Sequence, residues 1–187
     1  NDIQATNTQG FDCSTSTASG SVAYKRALNA VSNQDEFDIN LVSTPGLVYT
    51  LHPNPINHGI SMTEARGDAF FIFDPSAWAD NINTTTAAVS NLDTNYAAAY
   101  YPWVQIRDTI SNSLLFVPPS IVALGTFSSA QRNSELWFAP AGFTRGGLTE
   151  GSAGVPVIQT RERLTSKDRD DLYEANINPI ATFPSEG

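Results

Sequence analysis

Ala69-Phe-Phe-Ile-Phe73 is the stretch on which the fold turns. Its apolar residues follow one another without polar alternation. A strand with one solvated face alternates apolar and polar side chains. An unbroken apolar run suits a strand covered on both faces, as in a parallel sheet between helices. The segments around it carry the other half of that pattern. Ala23, Ala27, Ala30 and Val31 recur at helical spacing and predict a helix over 21–33. A proline-rich loop at 51–55 precedes a short helix over 57–66, with Gly67 as its stop. Beyond the run, Ala88, Val89 and Leu92 share one face of a weak helix over 85–92. Tyr96-Ala-Ala-Ala-Tyr-Tyr101 then reads as the next buried strand, interrupted by Pro102.

Working outward, Phe37, Ile39 and Leu41 alternate with polar residues and predict a strand that Pro45-Gly46 ends. Residues 103–107 and 113–117 read as the two arms of a hairpin around 108–112. Pro118-Pro119-Ser120 opens a helix reaching about 132, because proline is tolerated in a first helical turn. Residues 139–163 form a glycine-rich excursion that carries Pro140 and Pro156. Thr165-Ser-Lys-Asp168 has the spacing of a capping box, and predicts a helix ending near 176. Ile180-Ala-Thr-Phe183 would be a last strand. Residues 1–20 are a polar, linker-like segment, and 21–187 read as one domain. Its predicted class is α/β: a layered mixed sheet, partly parallel, with helices packed on it and an antiparallel hairpin.

The formal net charge is -9. Binding to nucleic acid draws on a basic surface that displaces counterions, so nucleic acid is not an expected partner. No apolar run approaches the roughly 20 residues that span a bilayer as a helix, so no membrane partner is expected either. The lone Cys13 cannot form an internal disulfide and suits a reducing compartment. Asn1 stands where an initiator methionine would, and the chain reads as a fragment of a longer protein.

Neither glycine-rich phosphate loop follows a strand, and Arg145-Gly146-Gly147 reads as an exposed loop. The two histidines, His52 and His58, lie in or beside the proline-rich loop, and only Cys13 and Glu64 could join them as metal ligands. No serine sits in a nucleophile elbow that would constrain a Ser-His-Asp triad. Asp168, Asp170 and Asp171 cluster at the start of a predicted helix, where negative charge complements the helix dipole. Asp74 and Asp80 fall after a strand, at the usual ligand edge of an α/β sheet, without a partner motif. Asn83-Thr84-Thr85 reads as a helix cap. The expectation is no catalytic residue, no cofactor and no metal site.

Several phrases, taken in order, resemble contractile bacteriophage tail sheath proteins. Asp38-Ile-Asn-Leu-Val-Ser-Thr-Pro-Gly46 is similar to that family's strand followed by Pro-Gly. Tyr100-Tyr-Pro-Trp-Val104, Val117-Pro-Pro-Ser120 and Ala123-Leu-Gly125 resemble its central stretch. Trp137-Phe-Ala-Pro-Ala-Gly142, with Gly147-Leu148 close behind, resembles its Ala-Pro-Ala segment, and Phe138 stands where a basic residue is common. Leu172-Tyr-Glu-Ala-Asn176-Ile-Asn178-Pro179 resembles its late helix end. The resemblance implies a structural subunit of a virion tail, assembled in the host cytoplasm. Its implied partners are neighbouring sheath subunits and, in the full-length protein, the inner tail tube. Contraction would drive that tube through the target envelope on energy stored at assembly, with no hydrolysis. The family's C-terminal, tube-contacting portion has no counterpart here, so the chain by itself is expected to be monomeric. Two other classes remain open on the residues alone. A small α/β enzyme would use a pocket containing Asp74 and Arg107. A carbohydrate- or receptor-binding lobe would use Trp78, Trp103 and Trp137, although these read first as packing residues.

Overall fold

The computed structural model describes residues 12–135 and 137–183. The fold is mixed α/β, as the sequence predicts. The chain separates into two compact units, Asn1–Ala99 and Tyr100–Gly187, a division that falls inside the stretch read as one domain.

The first unit carries helix α1 (Ser19–Ala30), strand β1 (Leu41–Val48), helix α2 (Pro53–Arg66), strand β2 (Phe70–Asp74), helix α3 (Ile82–Val89) and the start of strand β3 (Ala97–Tyr101). β2 pairs in parallel with β1 on one side and β3 on the other, with Phe71 opposite both Val42 and Ala97. The apolar run therefore forms the middle strand of the three, and Phe71, Ile72 and Phe73 are buried. Ile56, Ile60 and Met62 of α2 contribute further buried side chains. Gly59 lets α2 lie on the Phe71 ring: a Cβ there would come within 2.6 Å of two ring carbons.

Local chemistry moves several boundaries. α2 starts at Pro53, so the expected proline loop at 51–55 is largely its first turn. Proline at N1 lacks an N–H that would have no helical acceptor anyway. Gly67 ends α2 in the left-handed region at φ 75°, as predicted. α3 is capped by Asn81, whose side chain accepts from the Thr84 N–H at 2.9 Å, so the cap precedes the expected Asn83. The alternating stretch at 37–39 lies outside β1, and Pro45-Gly46 does not end the strand. Instead Ser43 faces Ile72 and Val48 faces Asp74. Thr44, Pro45, Gly46 and Leu47 thus intervene where β2 has Phe73 alone, a large bulge in an edge strand with Gly46 at φ 94°.

In the second unit, β4 (Val104–Arg107) and β5 (Leu114–Val117) form the predicted hairpin. β6 (Val157–Thr160) pairs on the other side of β4, giving an antiparallel sheet in the order β5-β4-β6. β6 falls within 139–163, so that segment is not wholly a loop. Between the hairpin and β6 come helix α4 (Pro119–Asn133) and the single turn α5 (Gly142–Arg145). Val104, Val117, Val122 and Val157 form the core, with Ile106, Leu148, Ala153 and Ile180 against it. Helix α6 (Ser166–Glu174) and strand β7 (Ile177–Pro179) complete the unit. β7 occupies 177–179 instead of the expected 180–183. Just after it, the Ile180 N–H donates to the Tyr101 carbonyl at 2.7 Å.

The capping box forms as predicted. Thr165 Oγ1 accepts from the Asp168 N–H at 3.2 Å, and Asp168 Oδ2 accepts from the Thr165 N–H at 2.8 Å. The hydrogen bonds from Thr165 hold the Asp168 carboxyl below its ordinary range. Its folded pKa is depressed, so this contribution is complete above the unfolded value and is lost as pH falls through the folded one. Thr165→Ala should destabilise the second unit by about 1 kcal/mol in urea titrations. A change below a few tenths would show that the cap is immaterial.

Candidate functional site: an aromatic and arginine surface

Most of the residues with catalytic or metal-binding chemistry are engaged in holding the fold. His52 is fully buried beside α2, and its Nδ1 accepts from the Val48 N–H at 3.0 Å. A neutral ring with that acceptor carries its proton on Nε2. A triad base needs the opposite arrangement, with Nδ1–H on a carboxylate and Nε2 open to the nucleophile. His58 lies 2.7 Å from Asn29 Oδ1, and burial, followed by repulsion from Lys25, lowers its pKa. Cys13 is buried, which raises its thiol pKa and suppresses the reactive thiolate. Glu64 is exposed on α2. Among the described residues no group of three or more His, Cys, Asp or Glu side chains could hold a metal ion.

The carboxyl edge of the parallel strands is similarly occupied. Asp80 Oδ2 accepts from Thr50 Oγ1 at 2.6 Å and from the Ala77 N–H at 2.8 Å, tying the loop after β2 to the loop after β1. Asp74 is buried, and its carbonyl accepts from the Tyr49 N–H at 2.8 Å. Arg107 belongs to the second unit and donates to Asn112 Oδ1 at 3.0 Å, across its own hairpin. Asp168 sits in the capping box and Asp171 pairs with Lys167 at 2.5 Å, while Asp170 is exposed. Sequence reasoning missed a polar knot in the second unit: Tyr101 donates to Glu162, and Arg161 Nη2 contacts Glu162 at 2.6 Å. Burial pushes the Tyr100 hydroxyl up to about 12, and burial with the Glu162 hydrogen bond raises Tyr101 further. Neither phenol is poised for proton transfer near neutrality.

What the second unit does present is an exposed aromatic surface. Trp137 is 78% exposed, and Phe138, Phe143 and Phe183 are also exposed. Trp137 and Phe138 lie 6.3 Å apart between ring centroids, and Arg145 stacks 4.8 Å over the Phe138 ring. A second group lies elsewhere in the unit: Phe143 of α5 meets Phe183 edge-on at 5.4 Å, and Arg169 lies 5.3 Å over Phe183. Arg145 Nε donates to the Ala139 carbonyl at 3.1 Å. Arg169 donates to the Leu164 carbonyl and Ser166 Oγ, each at 3.2 Å. Among the described residues neither arginine is in an ion pair.

The expectation that the tryptophans are core or inter-lobe packing residues is therefore corrected for Trp137; Trp78 is 45% exposed and Trp103 is half-buried. The signal available in the sequence was Trp-Phe followed by Phe and Arg in a glycine-rich stretch with no helical or strand period. Exposed aromatics interleaved with arginine have the composition of protein-contact hot spots.

No protein-family model matches the chain, and no curated protein matches it. Among solved structures, it is similar to a chain in the cryo-EM structure of the anti-feeding prophage baseplate, 6-fold symmetrised. The TM-score is 0.58 at 21% identity over 82% of this chain. The chain spans 37% of the length of that relative, and the likeness is one of fold.

Proposed function

We propose that the chain is a non-enzymatic structural subunit of a phage-tail-like contractile particle and, more narrowly, part of its sheath. The observation that carries the broader reading is the shared fold with a baseplate chain over 82% of the present one. The narrower reading rests on the ordered phrases from Asp38 to Pro179. The engaged state of His52, Cys13 and Asp80 is consistent with it, since contraction needs two arrangements of subunit interfaces and no turnover. The particle's tail is the proposed location, and neighbouring subunits and an inner tube are the proposed partners.

The test is assembly. The full gene product, expressed with its tube protein, should form hollow tubular polymers visible by negative-stain electron microscopy. Persistently dispersed subunits under those conditions would remove the sheath reading. The 187-residue chain itself should sediment at about its own mass of 20.1 kDa at micromolar concentration and low salt. The physical reason is its charge of -9, which opposes association of like copies. A stable oligomer under these dilute conditions would refute the repulsion argument.

A further inference from the structure

We infer that the aromatic and arginine surface of the second unit is the docking site for the acidic 35–38 segment of a second copy of this chain. The two units divide the charge unequally. Of the ten basic residues only Lys25, Arg26 and Arg66 lie in the first unit, against ten of the nineteen acidic residues. The first unit thus carries 10 acidic against 3 basic residues and the second 9 against 7, so both are net negative and the complementarity is local, between the 35–38 carboxylates and the arginines stacked on the exposed rings.

Within the first unit, Asp35-Glu36-Phe37-Asp38 supplies a matching feature. All four residues are exposed, and Phe37 is 37% exposed. None of its three carboxylates is in an ion pair among the described residues. The backbone is nevertheless held: the Phe37 carbonyl accepts from Arg66 Nη2 at 2.8 Å, and the Phe37 and Glu36 N–H groups both donate to the Asn33 carbonyl. A fixed loop offering one apolar ring between carboxylates loses little conformational freedom when it binds. Its chemistry complements Arg145 and Arg169 standing beside Phe138 and Phe183. Phe37 would join the aromatic cluster, and the carboxylates would find the two arginines.

Both features remain exposed within a single chain, so each is available to a neighbour. Each copy carries one of each, which makes the contact head-to-tail: it repeats from copy to copy until a rotation closes it. Such a contact rests on the reading of the chain as an assembling subunit. It is compatible with a monomer in dilute, low-salt solution, where the net charge dominates. Near 150 mM salt the screening length falls to about 8 Å, so long-range repulsion fades while contacts at hydrogen-bond range persist.

Sedimentation equilibrium at about 1 mM chain and about 150 mM salt reads the contact directly, because weak associations are populated there. The unmodified chain should show a concentration-dependent mass above 20.1 kDa. Asp35→Lys with Asp38→Lys, and separately Arg145→Glu with Arg169→Glu, should each lower the association constant about tenfold. An equimolar mixture of the two double variants should regain it, since reversed charges then meet across unlike copies. Phe37→Ala should weaken association without changing any charge. These side chains are exposed except for the half-buried arginines, and circular dichroism would verify that each variant is folded. A chain that stays monomeric at 1 mM, or an association that both double variants leave unchanged, overturns the docking site. Tube formation by the full gene product reports on the assembly reading separately: tubes with a failed charge swap remove this contact alone.

Discussion

Phe71→Ala should lower the stability of the first unit by about 3–5 kcal/mol, the cost typical of deleting a large aromatic from a closed core. Phe71 is fully buried at the middle of β2. Its ring lies against Gly59, and its centroid is 6.4 Å from that of Phe73. Relaxation can do little to fill the void, because glycine has no side chain to follow the ring and the alanines of β3 are too short. Both the lost transfer free energy and the unfilled cavity therefore weigh on the folded state. Urea titration followed by circular dichroism measures the change. A loss under about 1 kcal/mol would mean that the unit closes around the gap, contrary to the packing described. Phe71→Leu should cost less, since it retains part of the volume.

Arg66→Leu is the second large change expected, at about 2–3 kcal/mol. The Arg66 side chain is inaccessible to solvent and uses its whole fork. Nε and Nη2 reach the two Asp68 oxygens at 2.8 and 2.9 Å, Nη1 reaches the Val31 carbonyl at 2.5 Å, and Nη2 also reaches the Phe37 carbonyl. Leucine would strip the Val31 and Phe37 carbonyls of a charged donor and leave the Asp68 carboxylate, whose side chain is 41% exposed, to water. Arg66→Lys should recover only part of the loss, because one ammonium cannot reproduce the planar fork. The same bonds hold the Asp68 carboxyl below its ordinary range, chiefly through Arg66. The depressed folded pKa means that this contribution is full above the unfolded aspartate value and declines as pH falls through the folded one. Arg66→Leu should flatten that acid dependence as well as lower the plateau. An unchanged acid profile would show that Asp68 is not stabilised by this arginine.

The most legible parts of the fold were those where one local rule acts alone. The apolar run at β2, the Pro118-Pro119 start of α4, the β4–β5 hairpin and the Thr165–Asp168 box each form as the sequence predicts. The displaced elements are those where two rules compete. Phe37 and Ile39 alternate like strand residues, but their acidic neighbours favour solvent, and Arg66 captures the Phe37 carbonyl from a distant helix. Proline and glycine normally end strands, yet an edge strand tolerates them as a bulge. β6 was hidden because its four residues follow a glycine-rich stretch and owe their conformation to pairing with β4, a contact distant in sequence. The aromatic surface was obscured by the ordinary burial of tryptophan, a tendency that says nothing about the particular site of Trp137.

The bulge in β1 decides how this molecule can and cannot join others. A straight outer strand offers a row of main-chain donors and acceptors to any extended peptide, and nothing in that row discriminates the right partner from the wrong one. At Pro45 the donor is missing, and the four residues opposite Phe73 break the spacing that an incoming strand would need to match. This border of the sheet is thereby made a poor template. Copies crowded together during synthesis are steered away from indiscriminate zippering along this border.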